Sequence, residues 1–347
     1  MENNPIISLC MIVKDEEERI ETCLKSASSI ADEVIIVDTG STDQTIKLCQ
    51  QFENVKILHY DWDQHFANAR NFGIDHARGE WILWLDADEE LDVPSWETVK
   101  EQLAQQEEAT VIQLPVFNYV GERLPIQPEQ VFIYYQPRLF RNSKGYQFLK
   151  RIHETLKLPT DANITYLPSK IHHYGYITEI EKKKKKETRN IELLQIDIDK
   201  MAEDPWVAYH LASEYYRRQE YTQAFQYINL SIYYFLQKLI KPPSILYRLK
   251  YAILIETKSL DGAWPSIEKA IDLYPDYVDL HFFKGYILFE KERYKEALEA
   301  FGRCLELGDD HKEHLIWQGT GSYRAMEYKG KCLKKIDQGL YDKGGKI

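Results

Sequence analysis

Two carboxylates set two residues apart, Asp86 and Asp88, close the stretch Trp81-Ile82-Leu83-Trp84-Leu85-Asp86-Ala87-Asp88-Glu89-Glu90. Side chains alternate along a strand, so a regular strand aims both acids to one side. Carboxylates aimed at one point repel unless a cation or a shared proton joins them. Mg²⁺ or Mn²⁺ is the natural cation, because these hard ions take oxygen ligands and share them with substrate phosphates. The competing explanation of so short a pattern is a solvated acidic loop.

The five apolar residues before Asp86 fit a strand buried on both faces of a parallel sheet. Its carboxyl end is where open α/β sheets bind their ligands. The chain before it has the matching rhythm. Ile6 to Val13 reads as a first strand, followed by Ile20, Cys23, Leu24 and Ala27 at helical spacing. Glu33 to Val37 reads as a second strand ending at Asp38, then the turn Thr39-Gly40-Ser41-Thr42-Asp43. Ser41 or Thr42 is placed to cap a helix running to about Phe52. Val55 to Tyr60 is a third strand and Phe66 to Ala77 a helix, giving β-α-β-α-β-α-β with short connections. Beyond Asp92 the pattern loosens: a helix over 95–105 and strands over 110–116, 132–140 and 164–173 suggest an acceptor-side subdomain.

Composition limits the function classes. The chain has 347 residues, 44% hydrophobic and 29% charged, enough for two domains with real cores. A formal charge of −11 argues against general nucleic-acid binding, which needs a basic face. Cys10, Cys23, Cys49, Cys304 and Cys332 show no CxxC spacing and read as reduced structural thiols of a cytoplasmic protein. The start at Met1 lacks signal-peptide character, and no apolar run approaches the roughly 18 residues of a membrane span.

The second half is helical and repetitive. Ala212, Ala224, Ile228 and Ser231 keep the offsets of Gly285, Ala297, Phe301 and Cys304, and Ala263, Ile267 and Ala270 match the later part of the same pattern. Ala263 to Ala297 is 34 residues, the tetratricopeptide period. Three repeats are expected, with an insert near Lys241-Pro242-Pro243 and a capping helix in the tail from Leu315. Many of the 24 tyrosines then belong to the repeat core and groove. The domain reading is residues 1–178 for an α/β domain, 179–200 for a basic helical linker containing Lys182 to Lys186, and 201–347 for the repeats. Five consecutive lysines most often mark a solvated helix face.

Four motifs in order resemble family 2 glycosyltransferases of the GT-A fold: Ser8 to Glu16, Val37 to Asp43, Ala69-Arg70-Asn71 and Asp86-Ala87-Asp88. The resemblance covers roughly residues 5–178. It implies a Rossmann-like mixed sheet, a nucleotide-sugar donor, a base held by the aspartate of the second strand, and a divalent metal held on the diphosphate by the Asp-x-Asp pair. The chemistry of the residues agrees. A metal on Asp86 and Asp88 would neutralise a leaving diphosphate as a Lewis acid. Arg70 offers a bidentate phosphate contact, with a structural ion pair as the alternative. Asp38, beside its glycine turn with Ser41 and Asp43, can hydrogen-bond a base or ribose, or cap the turn. Val13, Asp15 and Glu16 line the same nucleotide pocket from the first strand. Asp61 and Asp63, a second spaced pair, are expected to shape the pocket or cap the following helix rather than bind metal.

Later motifs also resemble part of that family: Pro137-Arg138-Leu139-Phe140-Arg141-Asn142, Ile152-His153-Glu154 and His172-His173-Tyr174-Gly175-Tyr176. The resemblance selects His173 as third metal ligand, through its spacing to Gly175 and Tyr176, with neighbouring His172 the alternative. Glu154 is the candidate general base for an inverting single displacement, or else orients His153 or the sugar hydroxyls. Arg138 and Arg141 are candidates for the diphosphate or the acceptor, one of them structural.

A GT-A domain, a basic helix and tetratricopeptide repeats together resemble sublancin-type peptide S-glycosyltransferases, although the long N-terminal extension of that type is lacking. This implies a UDP-hexose donor, glucose first, and a peptide or protein acceptor modified on Cys or Ser/Thr, with the repeats binding peptide or forming a homodimer. The amino half also resembles lipopolysaccharide-core glucosyltransferases, which implies a lipid-linked or cell-envelope saccharide acceptor. A third reading makes the repeats the function and the GT-A domain a dead scaffold. The survival of Asp38, Arg70, Asp86 and Asp88 argues against it. A nucleotidyltransferase would need a glycine-rich phosphate loop where Lys14-Asp15-Glu16 stands.

Overall fold

Apolar runs with no polar side to turn outward can only be satisfied inside a covered sheet. In the computed structural model, which describes residues 6–92, 98–99, 101, 103, 108–122, 131–142, 145–177 and 186–344, these runs become neighbouring parallel strands. β1 (Ile7–Val13) lies between β2 (Glu33–Asp38) and β4 (Trp81–Trp84), with β3 (Val55–His59) outside β2. Every residue of β2 and β4 is buried. The crossovers are α1 (Ile20–Ala27), α2 (Thr45–Cys49) and α3 (Phe66–Ile74). α1 buries Ile20, Cys23, Leu24 and Ala27, the four residues whose spacing announced it.

Parallel register brings the carboxyl ends of these strands to one edge. Val13 pairs with Asp38, Asp38 with His59, and Cys10 with Trp84. α2 is shorter than expected, and neither Ser41 nor Thr42 caps it. Asp43 does that work, its Oδ1 accepting from Thr45 N at 2.9 Å, while Ser41 and Thr42 bond across to Asp15.

The sheet then changes direction. β7 (Val131–Arg141) is antiparallel to β4, and the order continues through β6 (Val111–Gly121), β11 (Lys170–Ile177) and β5 (Glu89–Asp92). β5 was not foreseen: an acidic stretch pairs antiparallel with Lys170 to His173. The single strand expected over 164–173 is two, β10 (Ile164–Tyr166) and β11, both parallel to β6 but at different registers. Pro168, lacking an N–H, sits in the break. β8 (Gln147–Leu149) and β9 (Thr155–Lys157) form a separate antiparallel pair. The helix expected over 95–105 and the lysines 182–185 fall largely outside the described residues.

By their internal contacts the residues divide into two units, Met1–Ile126 with Tyr134–Lys184, and Gln127–Ile133 with Lys185–Ile347. In the second unit Phe132 and Ile133 pair with β12 (Ile316–Trp317). Its helices are α4 (Lys186–Ile196), α5 (Trp206–Arg217), α6 (Tyr221–Gln237), α7 (Ser244–Glu256), α8 (Leu260–Ala263), α9 (Ile267–Leu273), α10 (Val278–Glu290), α11 (Tyr294–Leu307) and α12 (Tyr323–Gly344). They form three helical hairpins, α5/α6, α7 with α8–α9, and α10/α11. Pro265 interrupts the second helix of the middle hairpin.

The same turn closes each of the three hairpins. Gln219, Lys258 and Glu292 adopt φ of 61°, 54° and 58°. After each, the next N–H reaches back into the helix: Glu220 to Tyr215 O, Ser259 to Leu254 O and Arg293 to Leu288 O, at 2.8–2.9 Å. This left-handed cap satisfies the last carbonyls without a glycine.

Small residues set the approach within each hairpin. A Cβ at Gly285 would lie 2.7 Å from the ring of fully buried Phe301. Gly285→Ala is therefore expected to destabilise the protein by about 1–2 kcal/mol despite alanine's better helix propensity. Urea unfolding checks this, and adding Phe301→Leu should recover part of the loss.

Candidate active site

The acids after β4 stand on a built constellation. Buried Arg70, from α3, donates through Nη2 to Asp86 Oδ1 at 3.0 Å and through Nε to Glu154. Its guanidinium lies 4.4 Å from the Trp84 ring and 5.3 Å from Phe148. The neighbours of Arg70 explain how it is held. Ala69 is fully buried, and Asn71 clamps β8 to α3 by donating to Phe148 O and accepting from Phe148 N. The motif Ala69-Arg70-Asn71 thus packs, presents and anchors.

Arg70 Nη1 is buried without a hydrogen-bond partner. A buried donor left unmatched is costly, and a guanidinium edge of this kind suits an anion such as a phosphate. Burial acts to raise the Asp86 carboxyl, but Arg70 and Arg138 outweigh it and hold the group below the usual carboxylate range.

Asp88 is buried, and its Oδ1 lies 3.6 Å from His173 Nε2. Nδ1 of His173 is 2.8 Å from Asn118 Oδ1, the residue paired with it across β6. A ring oriented through its far nitrogen is a common arrangement for a metal ligand. His172, next along β11, bonds Tyr119 OH at 2.7 Å and approaches Asp92. Two ligands of one hard ion at about 2.1 Å lie within about 4.2 Å of each other, so Asp88 and His173 fit a shared ion. Carboxylate oxygens with an imidazole nitrogen are donors that would suit Mn²⁺ or Mg²⁺.

Sequence reasoning missed Glu89 and Asn118. Glu89 is buried, accepts from Arg138 Nη2 at 2.5 Å, and accepts the Asp86 N–H at 2.9 Å. Burial, with Asp86 and Asp88 nearby, pushes its carboxyl upward against the pull of Arg138. The residue braces the Asp-x-Asp turn from within. The only hint was its place in the acidic run, and Asn118 gave none.

Asp38 sits at the end of β2, buried. Its Oδ1 accepts from Gly40 N at 3.3 Å and Ser41 N at 2.9 Å, while Oδ2 lies 3.4 Å from His59 Nδ1. Val13 O accepts from Thr39 N and Oγ1. Asp15, at φ 52°, accepts from Thr42 N at 2.7 Å. Glu16 N donates to Thr45 Oγ1 at 2.7 Å and Glu17 N to Asp43 Oδ2 at 3.1 Å. The two loops at the carboxyl ends of β1 and β2 are thereby laced together. The exposed pair lies elsewhere: Asp63 accepts from His65 N and from Asn68 Nδ2, while the cap of α3 is His65 itself, whose Nδ1 accepts from Asn68 N at 3.3 Å.

Arg138 and Arg141 separate. Arg138 joins Glu89, whereas Arg141 pairs with Glu80 and stacks 4.1 Å over Trp81. Trp81 and Arg141 are paired at the amino end of β4. Five residues of extended chain, about 16 Å, separate that end from Asp86. Since charges beyond about 10 Å are largely screened, Arg141→Gln should leave nucleotide-sugar affinity unchanged within about twofold in a calorimetric titration.

The family described as Glycosyl transferase family 2 matches residues 8–164, a span containing all of these groups except His172 and His173. A TPR repeat-containing protein of Synechococcus elongatus is 38% identical over 179 residues, covering 49% of this chain and 42% of the relative. The SPbeta prophage-derived glycosyltransferase SunS of Bacillus subtilis is 27% identical over 237 residues, covering 66% and 54%. The lipopolysaccharide core biosynthesis glycosyltransferase LpsC of Rhizobium meliloti is 29% identical over 162 residues, covering 43% and 56%. The chain thus spans about half the length of these curated relatives. Among the described residues no helix is long and apolar enough to cross a membrane. Strand order, motif placement and these similarities agree: residues 8–164 match the family 2 glycosyltransferases and have a GT-A-like mixed sheet, and a helical region with a tetratricopeptide-like period follows.

Proposed function

We propose that this chain transfers a hexose, glucose from UDP-glucose in the first instance, to a Cys or Ser/Thr side chain of a peptide or protein. The observation that carries a working donor site is Arg70: buried, bound to both Asp86 and Glu154, and retaining one unmatched N–H face. A catalytically dead scaffold has no reason to keep a buried cation against two partly buried carboxylates in this geometry, since each costs desolvation. In this reading Asp86, Asp88 and His173 hold Mn²⁺ or Mg²⁺. When bound, the ion supplies charge neutralisation at the departing diphosphate.

The rest of the work falls to side chains. Arg70 binds phosphate through Nη1. Asp38 holds the base or ribose, with the laced turns carrying Asp15, Glu16, Ser41 and Asp43 around it. Glu154, whose carboxylate is fixed by Arg70, accepts the proton of the attacking group as the glycosidic bond forms with inversion. A cysteine thiol would ask less of that base than an alcohol, because it ionises more readily. All five cysteines of the chain are buried and free, as suits a reducing cytoplasm.

The acceptor assignment rests on the helical repeats and on the similarity to SunS; peptide binding by the repeats is the simplest use of such a surface. A saccharide acceptor is the second reading, favoured by the similarity to LpsC. A thermal-shift screen of UDP-, GDP- and TDP-sugars, each with Mn²⁺ and with EDTA, tests the donor site. A metal-dependent rise with one nucleotide family is expected, since a ligand that binds only the native state stabilises it. No rise with any donor in folded protein would refute the enzyme reading.

A further inference from the structure

A second convergence of ligating side chains lies in the helical unit. Asp276, His311 and His314 bring one ligand atom each to within 4.8 Å of one another. Asp276 belongs to the turn before α10, and the two histidines belong to the loop after α11. His311 Nε2 lies 3.0 Å from Asp276 Oδ2, and His314 Nε2 lies 3.4 Å from Asp276 Oδ1. The imidazoles are stacked, 4.4 Å between centroids at 16°, so both present Nε2 to the same carboxylate.

The two nitrogen–oxygen separations are close to those around a tetrahedral ion. With ligands at about 2.0–2.1 Å, neighbouring ligand atoms around Zn²⁺ sit about 3.3 Å apart. Imidazole nitrogen and one carboxylate oxygen suit Zn²⁺, Ni²⁺ or Cu²⁺ better than Mg²⁺. His314 is buried, stacked on Tyr277 at 4.4 Å, with Ser244 Oγ 2.9 Å from its Nδ1. That contact orients the ring with Nε2 toward Asp276. Nδ1 of His311 meets the Glu313 N–H at a long 3.4 Å.

The loop is held whether or not an ion is bound. Tyr277 OH donates to Leu315 O at 2.6 Å, and buried Asp279 accepts from Trp317 N and, at 2.8 Å, from Thr320 Oγ1. Both anchors lie just after His314 and tie that part of the loop to the start of α10, which lowers the ordering cost of binding. Asp276 is half exposed, which leaves the fourth coordination position on the solvent side.

We propose that Asp276, His311 and His314 form a binding site for a divalent transition metal of the zinc class, tying the turn before α10 to the loop after α11. The site is independent of the acidic pair in the first unit. Its donors are mostly nitrogen where those are mostly oxygen, so one chain would sort two kinds of ion by ligand chemistry.

The test uses the full chain, stripped with EDTA, dialysed, and titrated with Co²⁺ in excess Mg²⁺ so that carboxylate sites are occupied. The wild type should develop the visible ligand-field bands of four-coordinate Co²⁺, saturating at one equivalent and erased by one equivalent of Zn²⁺. His311→Ala and Asp276→Asn should lose the bands, Ser244→Ala should keep them with affinity about tenfold weaker, and Asp88→Asn should keep them unchanged. Zn²⁺ should raise the melting temperature of the wild type and not of His311→Ala, whose partly exposed side chain leaves no core cavity. Absence of the bands in the wild type, or their persistence in both His311→Ala and Asp276→Asn, would overturn the assignment and leave an imidazole–carboxylate hydrogen-bond cluster.

Discussion

Asp88→Asn is expected to lower turnover by roughly 10³-fold or more while leaving the melting temperature of the metal-free protein nearly unchanged. The substitution keeps shape and volume. The backbone carbonyl of residue 88 still accepts from Tyr174 N, a bond of 3.1 Å that joins the turn to β11. What is lost is one negative charge on a buried side chain whose oxygen lies 3.6 Å from His173 Nε2. A neutral amide oxygen holds a hard divalent ion more weakly, and stabilisation of the departing diphosphate falls with it. Lewis-acid stabilisation is worth several kcal/mol, and about 4 kcal/mol corresponds to 10³ in rate.

The same variant separates binding from chemistry. Nucleotide alone should still bind, because Asp38 and the turns at the ends of β1 and β2 are untouched. The Mn²⁺-dependent increment in nucleotide affinity should disappear. Steady-state transfer or donor hydrolysis, with Mn²⁺ varied, checks both parts. Retention of full Mn²⁺-dependent activity would remove the metal assignment from Asp86, Asp88 and His173 together.

The parts of this site legible in the sequence are those carried by local pattern. An apolar run ending in two spaced acids located β4 and its edge. A 34-residue recurrence of small residues located the hairpins, and Ala263 and Ala297 are indeed fully buried. Pairings between distant segments left no local trace. Glu89 and Arg138 are separated by 49 residues and meet only because β7 runs beside β4. Arg138 and Arg141 look equivalent in a motif, yet an odd offset on a strand puts them on opposite faces. The short strand β5 was hidden because four residues carry no readable period, and the break between β10 and β11 was read through as one strand. Phe132 and Ile133 associate with a unit that begins fifty residues later for a similar reason: their partners are Trp317 and Ile316.

Arg70 is the other position where one substitution should have a large effect, here on stability and activity together. Its side chain is 11% exposed, that of Glu154 9% and that of Asp86 32%. Arg70→Met removes the only cation that touches both carboxylates in these contacts. Breaking a buried ion pair from one side typically costs about 3–5 kcal/mol, because the remaining charge is left desolvated. Arg70→Lys should recover little: a single ammonium cannot make the forked contact to two carboxylates or stack on Trp84 as a planar guanidinium does.

The pH dependence carries a sign that identifies the cause. The folded Asp86 carboxyl titrates below its unfolded value of about 3.9. Its contribution to wild-type stability is therefore fully present above that value and lost as pH falls through the folded one. Without Arg70, burial dominates and Asp86 takes up a proton at milder acidity, relieving the unpaired charge. The stability gap between wild type and Arg70→Met should then be widest near pH 7 and narrow as the pH approaches 4 in urea titrations. The double variant Arg70→Met/Glu154→Gln should be more stable than Arg70→Met alone, since it discharges one stranded carboxylate, and should remain inactive. A gap independent of pH, with no rescue in the double variant, would mean that Arg70 acts through packing on Trp84 and Phe148 and not through its charge.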